Sequence, residues 1–440
     1  MTRVTIEEVE QRQHTPRGLL GCSIDGPKGG AASATYSFEL VGWALAEAGP
    51  LTRVEALQEG RVVAAAEPGE AREDIAAAFS DTAHAGACGF RLPVGTLDLR
   101  REFELSVVVW REEGVRTEIA TVRGSRTALP AAGEELIQPL MVNTIGRSGS
   151  TWLVWVLSCL AESVCVSPWS SDARVGSYWA SVLQTLARPQ SYLAQLEPGP
   201  IGQPSWWYDR PDLKFGMGGA PALEGWLGGA AVDELTALCS ERIETFYARL
   251  AEPGAAPRYF VEKFLPHQVV PDLLAEIYPG AREVVLVRDF RDILCSVIAF
   301  NRKRGWDAFG RSKAGSDEEY VETVLLSSAE WLKRRLDQRG DSIHLVRYED
   351  LIEEPAATLG GMMRYLGLDA DEEKAAAVAE RAERDAPVVD EHRTSEKVSA
   401  SVGRWRRDLP PELVRACAEV LDPVLVQFGY EPTSAVASES

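Results

Sequence analysis

The first part of the chain alternates hydrophobic and polar positions. Between residues 34 and 110, short runs with one apolar side are separated by Gly, Pro and charged residues. A period of two indicates strands with one buried face, and closely spaced turns favour an antiparallel β-sandwich. We therefore predict a β-sandwich accessory domain over residues 17–128, after an N-terminal tail over 1–16 and before a linker over 129–137.

The pattern changes after residue 138. Residues 139–145 and 283–287 are continuous, largely β-branched runs, and each is followed by a polar turn and an apolar helix. Buried runs that alternate with helices predict an α/β domain around an open parallel sheet. We place this second domain at 138–432 and predict that the Ala/Ser-rich end, 433–440, is disordered.

The turn after residue 145 has the composition of an anion-binding loop. It reads Gly-Arg-Ser-Gly-Ser-Thr over 146–151 and opens a helix, so the first helical amides point toward it. Its other donors are Arg147 and the hydroxyls of Ser148, Ser150 and Thr151. A Walker A loop would end in Gly-Lys-Ser/Thr, which is missing here. A phosphate-bearing ligand is predicted; the alternative is a simple turn with serine caps.

Two further segments carry similar chemistry. Arg288 ends the second buried run and Ser296 lies on the helix after it. Because the turns after parallel strands share the carboxyl edge of the sheet, these two residues are expected to bind another phosphate. Residues 399–409 form a basic, tryptophan-bearing stretch before a final helix at about 410–428, and we expect this stretch to fold over a bound nucleotide.

Together the three segments resemble the sulfotransferases that use 3'-phosphoadenosine 5'-phosphosulfate (PAPS) and release 3'-phosphoadenosine 5'-phosphate (PAP). The resemblance covers roughly 138–430 and implies a P-loop-like, three-layer parallel sheet flanked by helices. It implies that the 5'-phosphosulfate lies against Arg147, Ser148, Gly149, Ser150 and Thr151, the adenine against Trp152, and the 3'-phosphate against Arg288 and Ser296. It assigns Gly403, Arg404 and Trp405 to the closing loop. Three positions depart from the family pattern: Gly146, Arg147 and Ala400.

The catalytic residues are sought in the strand and turn over 259–267. The resemblance implies that Lys263 contacts the transferring sulfuryl group and that Glu262 or His267 is the base. By analogy with phosphoryl transfer, Arg147 is expected to stabilise charge on the departing phosphate oxygen. Phe264 stands where many eukaryotic cytosolic members have a histidine. Histidine accepts an alcohol proton near neutral pH with little change of its pKa, which favours His267. The structural alternative is a Glu262–Lys263 ion pair, with His267 beginning a helix at about 268–278.

The amino-acid composition limits the classes of partner, cellular location and metal site that the sequence predicts. Asp and Glu outnumber Lys and Arg by 66 to 46, giving a net charge of −20, which argues against nucleic acid and anionic membranes. Basic residues are concentrated at the motifs, with six basic and three acidic residues in 282–304 and five and one in 393–407. Seven scattered cysteines and the lack of an apolar leader predict a cytoplasmic protein. Five histidines without ligand spacing predict no metal.

An aromatic-rich insertion over 167–257 is expected on the substrate side. It contains Trp169, Trp179, Trp206, Trp207, Tyr208 and Trp226. Aromatics on loops beside an anion site suit a carbohydrate or another ring-bearing acceptor, although they could equally cap the core. The predicted reaction transfers sulfuryl from PAPS to a hydroxyl of a carbohydrate, glycolipid or secondary metabolite. The alternatives are an ATP-dependent small-molecule or sugar kinase and a non-catalytic nucleotide- or glycan-binding scaffold.

Overall fold

The computed structural model describes residues 2–112, 114–166, 174–187, 229–266, 268, 270–385, 394 and 398–437. These residues form two compact units. One contains residues 1–132 and 178–242, and the other contains residues 133–177 and 243–440. Of the aromatics predicted on the substrate side, Trp179 is described, while Trp169, Trp206, Trp207, Tyr208 and Trp226 lie outside the described residues.

The first unit contains the predicted β-sandwich. Its strands are β1 Val4–Gln11, β2 Leu19–Gly26, β3 Ala32–Ser33, β4 Ser37–Ala46, β5 Leu51–Gln58, β6 Arg61–Ala66, β7 Gly89–Gly95, β8 Glu102–Arg111 and β9 Arg116–Arg126, with the short helix α1 at Glu73–Ala78. The antiparallel sheets have the orders β3-β1-β9-β8-β5-β6 and β2-β4-β7. Apolar residues from both sheets, including Leu40, Leu92, Val54 and Leu105, share one core. The sandwich prediction is confirmed.

The predicted N-terminal tail over 1–16 is wrong, because it contains β1. This strand pairs antiparallel with β9 and β3, and its residues Val4 and Ile6 belong to the sandwich core. The register shifts after Ile6, and most of the remaining strand is exposed and acidic. The apolar residues of β1 that contact the core are Val4, Ile6 and Val9, and their spacing breaks the strict alternation that would reveal a strand.

The second unit is built on a five-stranded parallel sheet. Its strands are β10 Gln138–Asn143, β11 Ser163–Val164, β12 Tyr259–Phe264, β13 Arg282–Val287 and β14 Ile343–Arg347. Their order in the sheet is β11-β12-β10-β13-β14. Strand β10 is therefore central, as its fully buried sequence indicates.

The helices that follow β9 along the chain lie wholly or partly in this unit, and those that contribute to its two cores cover both faces of the sheet. They are α2 Ser150–Ser158, α3 Val175–Ala187, α4 Ala231–Leu250, α5 Val270–Ile277, α6 Phe290–Arg304, α7 Asp317–Tyr320, α8 Leu326–Arg339, α9 Tyr348–Glu353, α10 Pro355–Tyr365, α11 Glu372–Arg384, α12 Trp405–Asp408, α13 Pro411–Gln427 and α14 Thr433–Ala437.

Strand β13 contributes side chains to two hydrophobic cores, one on each face of the sheet. Val284 and Leu286 pack with residues of α2, α10 and α11, whereas Val285 and Val287 pack with residues of α6, α8 and α13. Successive side chains of a strand point to opposite faces, so an uninterrupted apolar run is buried on both sides. The predicted three-layer α/β architecture is confirmed.

The predicted disordered tail over 433–440 is wrong for its first five residues, which form α14. The carboxylate of Asp422 accepts hydrogen bonds from the amides of Thr433 (2.6 Å) and Ser434 (3.0 Å), and so caps the start of this helix. Arg291 also donates to the Thr433 hydroxyl at 3.1 Å. Composition alone suggested disorder because these capping partners come from other parts of the chain. Residues 438–440 lie outside the described residues.

Candidate active site

Two aromatic rings approach the loop between β10 and α2. Gly149 has a left-handed φ of 91°, and a Cβ built there would lie 2.3 Å from Cδ2 of Tyr348. A Cβ on Gly146 would lie 2.4 Å from Cδ1 of Phe309. Arg147, between them, adopts a left-handed φ of 68°. Both glycines are therefore needed for space, and Gly149 is also needed for its backbone conformation.

The start of α2 presents hydrogen-bond donors. Trp152 N and Leu153 N both donate to Gly149 O, at 2.9 and 3.1 Å. Within the described part of the chain, the amides of Gly149, Ser150 and Thr151 donate to no protein acceptor. Free amides at a helix N-terminus, together with the helix dipole, favour an anion.

The loop hydroxyls differ in position. Ser148 is fully buried, and its Oγ lies 2.5 Å from Thr144 Oγ1, which donates to Leu286 O at 3.1 Å. The Ser148 hydroxyl therefore holds the loop against β13. Ser150 is buried and Thr151 half-buried at the first two positions of α2, where their amides and hydroxyls adjoin.

The structure brings the first two predicted motifs together. Arg147 donates from Nε to Ser296 Oγ at 3.0 Å, and Arg288 donates to Arg147 O at 3.1 Å. Ser296 is buried on α6, and its Oγ also lies 3.2 Å from Thr394 Oγ1. A guanidinium, a hydroxyl and a second guanidinium therefore form one cluster at the carboxyl edge of the sheet, where the sequence predicts that both turns emerge.

The positive charges in and around this cluster repel one another. Burial, and then the charges of Arg288 and Arg404, lower the pKa of Arg147 to about 10. Arg288 is 4% exposed, and its buried Nε has no hydrogen-bond partner among the described residues. Buried cations with unsatisfied donors cost free energy unless a counter-charge binds. The site is therefore suited to a phosphate group.

The segment over 398–409 is tied to this cluster. Arg288 donates to Ser401 O at 2.6 Å, and the Ser401 hydroxyl lies 3.1 Å from the Tyr348 hydroxyl. The buried carboxylate of Asp292 accepts from Gly403 N at 2.7 Å and from Trp405 N at 2.9 Å. These contacts fix the predicted closing loop against the beginning of α6.

The two tryptophans predicted near the nucleotide pack against protein. Trp405 is 3% exposed, belongs to the core beneath α6, and has the Arg291 guanidinium 4.0 Å above its ring. Trp152 is half-buried against the core formed around α2. Arg404 is held by Asp408 at 2.7 Å and donates to Thr394 O at 3.1 Å. Trp405 thus anchors the closing loop through its ring.

Glu262 is occupied by four hydrogen bonds. It is 2% exposed and accepts from Gly176 N (2.5 Å), Ser177 N (3.0 Å), Ser177 Oγ (2.8 Å) and Tyr247 OH (2.5 Å). Burial raises its pKa, and the four donors act in the opposite direction. The carboxylate caps the start of α3 and offers no oxygen to an acceptor alcohol. The suggested Glu262–Lys263 ion pair is not formed.

Lys263 faces the opposite side of β12. It shares that face with Tyr259 and Val261, which pack in the same core as α2 residues. It is half-buried and pairs in register with Val142, one residue before the end of β10. Thr144 N donates to Phe264 O at 3.0 Å, which joins the end of β12 to the start of the anion loop. Lys263 is therefore placed on the face where α2 begins. His267 lies outside the described residues.

Sequence reasoning missed two residues of this site. Tyr348 lies against Gly149, has the Arg288 guanidinium 4.6 Å above its ring, and reaches Ser401. Asp292 holds the closing loop. Tyr348 directly follows β14, and Asp292 lies between Arg288 and Ser296 along the chain. Their positions were therefore visible, but their partners were not.

The family comparison decides the class of this protein. The model described as "Sulfotransferase family" matches residues 139–372, more than half of the chain. The chain belongs to the sulfotransferase family. The predicted family is thus confirmed, and with it the PAPS-dependent enzyme class at the level of the family. The match contains the anion loop, Arg288 and Ser296, and it ends before the closing loop.

Individual relatives are more distant. A protein named carbohydrate sulfotransferase 3, from Tetronarce californica, is 26% identical over 163 residues, which cover 34% of this chain and 35% of that protein. The chain thus spans about a third of this curated relative. Mouse sulfotransferase SULT7A1 complexed with PAP has 11% identity and a TM-score of 0.37, covering 68% of this chain and 86% of that one. The sulfotransferase domain of the curacin biosynthetic pathway has 14% identity and a TM-score of 0.36, with coverages of 69% and 99%.

Among the described residues, none of the helices is both long enough and apolar enough to cross a bilayer. The same residues contain no group of three or more His, Cys, Asp and Glu side chains arranged to hold a metal ion.

Proposed function

We propose that this chain transfers the sulfuryl group of PAPS to an acceptor hydroxyl and releases PAP. The observation that carries the proposal is the buried cluster of Arg147, Arg288 and Ser296 next to the free amides of α2. One arrangement offers two adjacent places for anions, and PAPS has two anionic ends. ATP has no 3'-phosphate to occupy the second place.

We propose a position for each end of the donor, and the contacts of the cluster and the start of α2 support it. The 3'-phosphate lies against Arg288, Ser296 and Arg147, because these residues form the cationic cluster. The 5'-phosphosulfate lies at the N-terminus of α2, against the amides of Gly149, Ser150 and Thr151 and the hydroxyls of Ser150 and Thr151. The loop that contains Gly403 and Arg404 closes over the nucleotide on the side held by Asp292, and the buried ring of Trp405 anchors this loop.

The transfer is an in-line displacement at sulfur. The acceptor oxygen forms a bond to sulfur while the bond from sulfur to the 5'-phosphate oxygen breaks, and the acceptor proton passes to a base. Charge builds on the departing phosphate oxygen and on the sulfuryl oxygens, where fixed amides and a cation stabilise it. Lys263 is the proposed cation, because it faces the side where α2 begins. His267 stays the candidate base, since all four donors around Glu262 already occupy its carboxylate.

The acceptor is proposed to be a hydroxyl of a carbohydrate, glycolipid or secondary metabolite, and the protein to act in the cytoplasm. The carbohydrate class is supported by the name of the matched relative and by the aromatic content of residues 167–257. Nucleic acid is not a proposed partner, because the chain carries a net charge of −20.

Calorimetric titration with PAP tests the donor site without knowledge of the acceptor, with 5'-AMP and ATP as controls. We expect PAP to bind at least about tenfold more tightly than 5'-AMP, because a charge-assisted contact contributes roughly 1.5–3 kcal/mol. Arg288→Ala should remove this preference, whereas Arg415→Ala, at an exposed position on α13, should leave it unchanged. Equal binding of ATP and PAP would favour a kinase and overturn the proposal.

Lys263→Ala separates catalysis from donor binding. It should lower kcat by about a hundredfold or more, as loss of one donor to developing charge does, with PAP affinity changed far less. Selective PAP binding without sulfuryl transfer to any acceptor would indicate a scaffold. A Lys263→Ala enzyme with wild-type kcat would remove Lys263 from the mechanism.

A further inference from the structure

A basic and aromatic surface follows α6 and begins next to the anion loop. We define the α6 patch as Arg302, Lys303, Arg304, Trp306 and Phe309. The three basic residues are exposed, and Trp306 and Phe309 are 59% and 39% exposed. Nothing in the donor chemistry uses this surface.

The patch is continuous with the donor site through the rings of Phe309 and Phe300, which meet edge to face. Phe309 occupies the space next to Gly146, and Phe300 lies 5.3 Å from Phe309 between ring centroids. The guanidinium of Arg147 lies 4.7 Å from the Phe300 centroid, and that of Arg304 lies 5.2 Å from it. A molecule on the patch would therefore lie beside the loop that is proposed to hold the phosphosulfate.

The loop that carries Trp306 and Phe309 is held in an unusual conformation. Phe309 has a left-handed φ of 56°, which is costly for an aromatic residue. The buried side chain of Asn301 accepts from Ala308 N at 3.1 Å, and Tyr320 OH donates to Phe309 O at 3.1 Å. The backbone is thus fixed so that both aromatic rings stay partly exposed. Burial cannot explain this arrangement, because it leaves apolar surface in water.

The charge of the patch opposes that of the chain. Residues 302–313 contain five basic residues and one acidic residue, Asp307, whereas the whole chain has a net charge of −20. Cations complement the C-terminal dipole of α6, which accounts for basic residues in its last turn. The dipole does not account for the exposed rings beside them. Flat rings interleaved with cations suit a ligand that has both a ring face and negative charge.

We propose that the α6 patch binds the acceptor and that the acceptor is an acidic saccharide. The sugar ring stacks on Trp306, and its carboxylate or sulfate groups contact Arg302, Lys303 and Arg304. The negative remainder of the chain repels such a molecule, so the patch both attracts it and directs it toward the donor site. This inference rests on the proposed function and deepens it by naming the class of acceptor.

The test measures binding of fluorescein-labelled saccharides to the full chain saturated with PAP, by fluorescence anisotropy. Three probes of similar length are compared: oligogalacturonate, which carries carboxylates, lightly sulfated dextran oligomers, which carry sulfates, and neutral dextran oligomers. We expect at least one anionic probe to bind about tenfold or more tightly than the neutral one and to weaken with added salt. Comparison of the two anionic probes identifies whether the patch prefers carboxylate or sulfate groups.

Variants of the protein test whether the saccharide binds at the α6 patch. Trp306→Ala and the double variant Arg302→Glu/Lys303→Glu should each weaken anionic saccharide binding about tenfold, as loss of one stacked ring or two contacting charges does. The double variant Lys374→Glu/Arg381→Glu makes the same change of charge on α11, which packs on the opposite face of the sheet, and should bind like wild type. PAP affinity should be equal in all of these proteins.

Each outcome has a defined meaning. Equal binding of neutral and anionic probes, no saccharide binding, or equal effects of the patch and α11 variants would overturn the acceptor proposal while PAP binding stands. Failure of wild type to bind PAP would instead overturn the proposed function.

Discussion

Arg147 donates from Nε to the Ser296 hydroxyl at 3.0 Å, although the two residues are 149 positions apart. This contact, together with the Phe300 ring 4.7 Å from the guanidinium, places the Arg147 side chain against α6. The sequence suggested that Arg147 stabilises charge on the departing 5'-phosphate oxygen. Its orientation favours a role in holding the 3'-phosphate, which leaves the sulfuryl group to Lys263 and the α2 amides.

Arg147→Ala should therefore act mainly on donor binding. A hydrogen bond to a charged group contributes roughly 1.5–3 kcal/mol, so PAP affinity should fall by roughly ten- to a hundredfold. Ser296→Ala should have a smaller effect of the same kind, because the hydroxyl is neutral. Calorimetry with PAP and steady-state kinetics with PAPS measure both. An Arg147→Ala enzyme with normal PAP affinity and a strongly reduced kcat would instead support the role at the departing phosphate oxygen.

Donor affinity should depend on the ionisation of Asp292. Burial, and then the neighbouring Asp289, raise its pKa from 3.8 to about 6, while Arg288 and the amides of Gly403 and Trp405 act in the opposite direction. Because the pKa of Asp292 is higher in the folded state than in the unfolded state, protonation of Asp292 stabilises the fold. This stabilisation is complete below about pH 4 and is lost as the pH rises through about 6. Donor binding runs the other way, since the ionised carboxylate holds both loop amides.

We therefore expect PAP affinity to fall as the pH drops below about 6. The phosphates of PAP also titrate near that pH, so the comparison needs Asp292→Asn, whose side chain does not ionise. The variant should bind PAP more weakly at pH 7.5 and should show a shallower pH profile than wild type. Identical profiles for the two proteins would exclude Asp292 as the titrating group.

Glu262→Gln should destabilise the protein more than it affects chemistry. The amide nitrogen of glutamine cannot accept from the donors that now surround the carboxylate, so one or more buried donors lose their partner. The expected cost is roughly 2–4 kcal/mol of unfolding free energy. Tyr247→Phe removes a single donor and should cost about 1 kcal/mol. Denaturant unfolding checks both values, and a stable variant with abolished kcat would restore Glu262 as the base.

Gly149→Ala should impair the anion loop. Its Cβ would meet the Tyr348 ring at 2.3 Å, and its φ of 91° is unfavourable for alanine. Gly254→Ala is the matched control, because Gly254 has a similar φ of 84° but open space around its Cβ position. The control should lose about 1 kcal/mol of stability and retain PAP binding. Gly149→Ala should lose PAP binding as well, and equal behaviour of the two variants would mean that the contact with Tyr348 is unimportant.

Much of the site could be predicted from the sequence because its residues lie close in sequence to recognisable strands. The anion loop, Arg288 and Ser296 each follow a recognisable buried strand, and parallel strands bring their ends to one edge. The roles of Tyr348 and Asp292 were not accessible in this way. Tyr348 acts through Gly149 and Ser401, and Asp292 acts through Gly403 and Trp405. The pattern of hydrophobic and polar residues does not reveal contacts between residues so far apart in sequence.

Glu262 shows the same limit for chemistry. In the sequence it is a carboxylate beside a lysine at the end of a buried strand, which suggests a base. In the fold, the start of α3 and Tyr247 reach its oxygens before any substrate could. Likewise β1 forms by pairing with β9, which is distant in sequence, and α14 begins at a cap supplied by Asp422 on the preceding helix. The local composition of the two segments reveals neither partner.

The pairing of Arg147 with Arg288 also bears on turnover. PAP retains both phosphates of PAPS and loses only the sulfuryl group, so the contacts that relieve repulsion between the two guanidiniums persist after transfer. The spent nucleotide should therefore dissociate slowly and compete with fresh donor. In the cell, the rate of this enzyme would then follow how quickly PAP is degraded as much as how much PAPS is supplied.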